Sequence, residues 1–207
     1  MAKNDKSTGT SAARKRQGAR SALSTQARIL DAAKLIFSQC SYDGVGVREI
    51  AMAAEVDPAL VIRYFGSKEA LFEAVASTAF DTDDVLQHGI ERLPTDAAEM
   101  LTSQLGDYDW SSGYDPLRLL LYSVGSTTAG PIVSRHLRDR FVAPIAGALS
   151  GRHRNERAML LAGSIVGFAL VRIALASAED FPLRHQALKA LLAQTLKASA
   201  DGADDQG

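Results

Sequence analysis

Apolar positions recur at helical spacing along most of the chain. From about Thr25 to Ser38, the residues Ile29, Ala32, Ala33, Ile36 and Phe37 form one stripe and predict a helix, with Ser24 or Thr25 as its cap. Ser41-Tyr42-Asp43-Gly44 reads as a turn. Val47, Ile50 and Ala51 then share one face of a short second helix. After a brief connection at Glu55 and Val56, Asp57-Pro58 starts a third helix. The carboxylate can accept from first-turn amides, and proline at the first position gives up no hydrogen bond. This helix, Pro58 to Phe65, should bury Val61 and Phe65 and end at Gly66. Ser67 caps a fourth, through Leu71, Phe72, Val75 and Phe80, about 14 residues or roughly 21 Å long.

Beyond Asp81 the pattern stays helical. A helix is expected from Asp83 to Arg92, separated by Pro94 from another near Asp96 to Leu105. Gly106 to Gly113 reads as a loop carrying Tyr108 and Trp110. Asp115-Pro116 repeats the cap-and-proline start and opens a helix through Leu117, Leu119, Leu120, Leu121 and Val124. Gly125 to Gly130 interrupts it. The next helix, about Pro131 to Leu149, contains Pro144, which should kink it or sit in an irregular part. Glu156 to Ala176 is apolar on most of its circumference and carries small residues, among them Gly163 and Gly167 one turn apart. Leu183 to Ala198 places Leu188, Leu191, Leu192 and Thr195 on one face. The expected class is all-α, with a small N-terminal three-helix unit followed by a larger helical domain.

Two helices of about two turns joined by a three- to four-residue turn are the helix-turn-helix arrangement, whose second helix can lie in the DNA major groove. Ile50-Ala51, Val56-Asp57-Pro58 and the run Arg63-Tyr64-Phe65-Gly66-Ser67-Lys68-Glu69-Ala70-Leu71-Phe72 resemble the DNA-binding domain of TetR-type repressors, a likeness extending from about Gln26 to Val75. The resemblance implies a dimer held by the last two helices as a four-helix bundle. It also implies DNA binding that usually represses and is relieved by a ligand in the second domain. The family usually has Thr or Ser where Gly46 stands, capping the second helix and touching phosphate, and glycine offers no side-chain oxygen for either.

Charge supports the division. Residues 1 to 75 hold 11 Lys and Arg against 8 Asp and Glu, and residues 76 to 207 hold 12 against 16, balances of +3 and −4 that add to the net −1. A basic first part on an acidic remainder is the sign expected if only the first part meets a polyanion. Four segments follow: 1–23, a disordered basic arm with Arg14, Lys15, Arg16 and Arg20, either solvated or following DNA; 24–70, the DNA-binding domain; 71–200, a ligand-binding and dimerisation domain; and 201–207, a disordered tail. The apolar stretch Ala158 to Ala176 contains Arg172 and reads as a buried helix, not a membrane span. No apolar segment follows the basic N-terminus as in a secretory signal, and the one cysteine, Cys40, is expected as a small buried hydrophobe in a cytoplasmic protein.

Phosphate charge supplies affinity and base edges supply specificity. Lys68, in the first turn of the fourth helix, and Tyr64 match phosphate-binding positions of the resembled family. Arg48 either reaches bases or phosphate, or pairs with Glu49 or Asp43. Pro58, Ala59, Leu60, Ile62 and Arg63 should face outward from the reading helix, with Arg63 the only long polar group and Leu60 and Ile62 available to thymine methyls. Trp110, Tyr114, Leu117, Leu121, Phe141 and Phe168 are of the type that lines an apolar ligand pocket, or are simply core. The small residues Gly163 and Gly167 with Leu188, Leu191, Leu192 and Thr195 are the expected dimer face. His88, His136, His153 and His185 are scattered, and Arg135, His136, Arg138 and Arg140 read as a solvated basic helix face. With no nucleophile–base pair, metal-ligand spacing or glycine-rich phosphate loop, neither enzyme activity nor a cofactor or metal is expected.

The helix-turn-helix reading predicts a homodimeric regulator binding a palindromic double-stranded DNA operator, and the resemblance implies a repressor released by a small-molecule effector. An activator, a regulator without a ligand, and a helical ligand-binding protein are the alternatives.

Overall fold

The computed structural model describes residues 8–79, 86–103, 113–175 and 184–201, with side chains from residue 22 onward except that of Ile173. All regular structure among them is helical. The helices are α1 (Thr8–Phe37), α2 (Val47–Ala53), α3 (Pro58–Phe65), α4 (Lys68–Ala76), α5 (Leu93–Ser103), α6 (Pro116–Ser123), α7 (Ala129–Leu137), α8 (Ala143–Ala148), α9 (Arg154–Leu175) and α10 (His185–Asp201). A 3-10 turn, Tyr42–Gly44, follows α1, and a π-helical turn, Arg138–Val142, joins α7 to α8.

Helix α1 starts well before Thr25. Where an arm without regular structure was expected to residue 23, the helix begins at Thr8. Ala, Arg, Lys and Gln dominate residues 12–20, and these lose little on entering a helix. Cys40 is exposed, not buried. The chain turns just past α1, with the Gln39 and Cys40 amides both donating to the Ile36 carbonyl, and this leaves the thiol outside the core.

The first four helices enclose a compact core. Ile29, Ala33, Phe37, Ile50, Ala51, Val61, Leu71, Phe72 and Val75 are fully buried. Phe72 meets Phe37 and Tyr42 edge-on, at ring distances of 5.1 Å each. Helix α4 stops at Ala76, shorter than expected, with Ser77 and Thr78 hydroxyls donating back to the Ala74 and Val75 carbonyls. Phe80 lies outside the described residues.

In the second domain α5 packs on α10, and α9 runs alongside α10, α8, α6 and α5, while α4 lies against α7. The expected helix ending at Arg92 is absent over 87–92, which form turns around Gly89 at φ 84°. Pro94 belongs to the first turn of α5 and does not separate two helices. Asp115 caps α6 as expected, accepting from the Leu117 amide at 2.7 Å. Pro144 sits just beyond the π-helical turn. It has no amide for the Arg140 carbonyl and its ring crowds that group, so the wider turn relieves the clash.

Candidate nucleic-acid interface

Local hydrogen bonds fix the start of each short helix. The Glu49 carboxylate accepts from the Gly46 amide at 2.6 Å, closing the first turn of α2 from the far side where glycine supplies no oxygen. Asp57 accepts from the Ala59 amide at 2.7 Å, and Ser67 from the Ala70 amide at 3.0 Å. Gly66, at φ 82°, turns the chain between α3 and α4, a left-handed backbone that glycine enters without a Cβ penalty.

The turn between α2 and α3 carries strain. Glu55 stands at φ 52°, where most side chains are disfavoured. Arg28 of α1 holds it: its Nη2 donates to the Ala54 carbonyl at 2.5 Å and the Glu55 carbonyl at 3.0 Å. The same guanidinium lies 3.7 Å from the Glu55 carboxylate. Sequence reading missed Arg28, although a non-glycine residue in so tight a turn was a signal that something must hold it.

This frame presents one side of α3. Val61 is fully buried, whereas Pro58, Ala59, Arg63 and Ile62 are exposed, Ile62 by 46%. Leu60, expected outward, is half-buried. Tyr64 and Phe65 are half-buried against the core. Arg48 is exposed at the start of α2, and the Glu49 carboxylate, one of its two expected partners, is taken by the Gly46 amide.

Lys68 is placed differently from its expected role. Its Nζ donates to the Tyr42 carbonyl at 2.9 Å and the Val45 carbonyl at 2.8 Å, and lies 4.0 Å from the centre of the Tyr42 ring. Two of three ammonium protons therefore staple α4 to the loop before α2, and one remains. At this corner a phosphate would meet mainly the open amides of α4's first turn.

The second domain sorts the other candidates. Trp110 lies outside the described residues. Phe141 is buried, Tyr114, Leu117 and Phe168 are half-buried, and Leu121 is 46% exposed, so Leu121 does not join an interior lining. Leu119 and Leu120 face the core of α6, and Leu121, a further 100° round the helix, cannot. Burial pushes the Tyr114 phenol up to about 12, with Thr78 beside it opposing. Lys34 of α1 stands 5.7 Å from the centre of the same ring. Two arginines enter this interior, Arg118 at 2% exposure and Arg172, whose guanidinium burial pushes down and the Asp115 carboxylate pulls back up.

The expected dimer face also divides. Gly163, Gly167, Leu191 and Thr195 are exposed, with Met159, Leu160 and Val171 beside them on the outer side of α9. Leu192 is buried and Leu188 half-buried. Leu192 belongs to the core of the protomer, in which α10 packs on α5 and α9. Among the described residues no group of three metal-ligating side chains forms, and no helix is long and apolar enough to cross a membrane.

Two family profiles match. "Bacterial regulatory proteins, tetR family" covers residues 29–75 and "Tetracyclin repressor-like, C-terminal domain" covers 94–199. A probable HTH-type transcriptional regulator, YttP of Bacillus subtilis strain 168, is 36% identical over 59 residues, which are 28% of each chain. The match thus spans well under a third of that relative. Among solved structures, NalD of Pseudomonas aeruginosa, the secondary repressor of the MexAB-OprM multidrug efflux pump, is similar at TM-score 0.60 and 16% identity, over 85% of this chain and 96% of that one. A TetR-family transcriptional regulator from Mesorhizobium loti gives 0.58 and 18%, over 86% and 96%. A cysteine-substituted CifR in complex with a 26-base-pair double-strand operator DNA gives 0.55 and 19%, over 82% and 94%.

Proposed function

The chain belongs to the TetR family of DNA-binding transcriptional regulators, and we propose that it acts as a homodimeric repressor released from its operator by a small molecule. The exposed row on α3 carries this reading. Pro58, Ala59, Ile62 and Arg63 stand clear on a helix whose two ends are fixed by Asp57 and Gly66, with Arg48 exposed at the start of α2 and open amides in the first turn of α4. Arg63 and Arg48 are the groups for guanine edges or phosphate, Ile62 can meet a thymine methyl, and Tyr64 can reach the backbone with its hydroxyl. Lys68 contributes by holding the corner.

The outer faces of α9 and α10 support a two-fold dimer, which would present two such helices to half-sites about 34–36 Å apart or a multiple of that. The fully buried Ser123 hydroxyl, which meets no hydrogen-bond partner among the described residues, supports entry of a small molecule with polar groups of its own. A cytoplasmic location follows from the work on DNA.

Fluorescence anisotropy with duplexes selected from a random pool, over a salt series, tests this. Tight binding to a selected two-fold site and a steep fall with rising salt are expected. Arg63→Ala should cost about 1–3 kcal/mol and relax the preference at one position of each half-site. Equal, weak binding of every duplex would sink the operator reading.

A further inference from the structure

Helix α4 has two sides. On one, Leu71, Phe72, Val75 and Ala76 are fully buried, and Phe72 is wedged against Phe37 and Tyr42. That side makes α4 one body with α1, α2 and α3. On the other side Glu73 meets α7. Its Oε2 accepts from Arg135 Nη2 at 2.6 Å, and its Oε1 accepts from His136 Nε2 at 2.6 Å. His136 is 9% exposed, whereas the Glu73 side chain remains 37% exposed, so the bond is part-buried. It needs a proton on Nε2, which one neutral tautomer and the imidazolium both carry.

A carboxylate whose two oxygens are taken by successive residues of one helix fits in one orientation. Rolling α4 about its axis, or sliding it along α7, breaks at least one of two short charge-assisted bonds. None of the three residues belongs to α3: Glu73 is on α4, and Arg135 and His136 are on α7. We propose that Glu73, Arg135 and His136 are positioning residues for operator binding: they fix the roll of α4, and with it the separation of the two reading helices in the dimer. The proposal rests on the reading of the chain as an operator-binding dimer. With the clamp open, α4 samples a range of rolls, and only part of that range sets both α3 helices on their half-sites together. Single half-sites are indifferent to that spacing.

The test uses the full chain and a duplex selected with the wild-type protein, offered both as the full two-fold site and as a single half-site. Glu73→Gln keeps the shape of the side chain and removes its charge. Full-site affinity should fall at least tenfold, half-site affinity should stay within twofold, and the slope of log K against log salt should not change because no phosphate contact is lost. The paired reversal Glu73→Arg with Arg135→Glu should recover part of the loss. Full-site binding by Glu73→Gln within twofold of wild type overturns the clamp alone. An equal loss on both duplexes also overturns it, since that marks general damage to the DNA-binding domain. If the wild-type chain selects no duplex, the operator reading fails and the clamp falls with it.

Discussion

Between Val47 and Ala76 three helices of 7, 8 and 9 residues follow one another, each started by a side chain within three residues of its first turn. Further on, α9 and α10 run for 22 and 17 residues and leave a row of apolar and small side chains facing outward. Helices as short as the first three are marginal alone in water, so caps and a shared aromatic core decide whether they form. The long pair needs less local help, and its open question is what covers it. The short helices of the DNA-binding domain are therefore started by local caps and completed by a shared core, and the second domain is a scaffold with surface left over.

The sharpest way to break this contrast is Phe72→Ala. Removing a fully buried ring from between Phe37 and Tyr42 should cost about 3–5 kcal/mol, a large part of what a domain holds in total. Loss of DNA binding is expected, with most of the far-UV helical signal surviving to a separate, later transition in urea. A single melt that takes all the helicity with it would make the two regions one cooperative unit. A smaller effect comes from Leu191→Glu, which places a charge where the side chain is 62% exposed on the outer face of α10. Light scattering should report monomers with unchanged helicity, and full-site affinity should fall by about 2 kcal/mol, roughly thirtyfold. A dimer that survives would mean the leftover surface lies elsewhere. The smallest effect is Glu55→Gly. Glycine adopts φ 52° without strain, and the exposed pair with Arg28 is worth little, so a gain of about 0.5–1 kcal/mol is expected in thermal melts. A loss would show that the Arg28 contact outweighs the backbone strain.

What could be read from the sequence alone follows the same division. Asp57-Pro58, Gly66-Ser67 and Asp115-Pro116 marked helix boundaries because a cap and the amide it satisfies lie two or three residues apart, and the exposed row on α3 followed from burying Val61. Lys68 read as a phosphate ligand because its position is local knowledge, while its partners, the Tyr42 and Val45 carbonyls, are 26 and 23 residues away. Arg135 and His136 read as solvated for the same reason: Glu73 lies 62 and 63 residues earlier. Periodicity named α10's apolar side chains but could not say which flank the protomer uses. Only the packing of α10 within the protomer, on α5 and α9, separated Leu192, taken inside, from Leu191, left outside. Helix identity and caps are decided by near neighbours in the chain. Which charges meet, and which apolar flank is left over, is decided when distant helices come together.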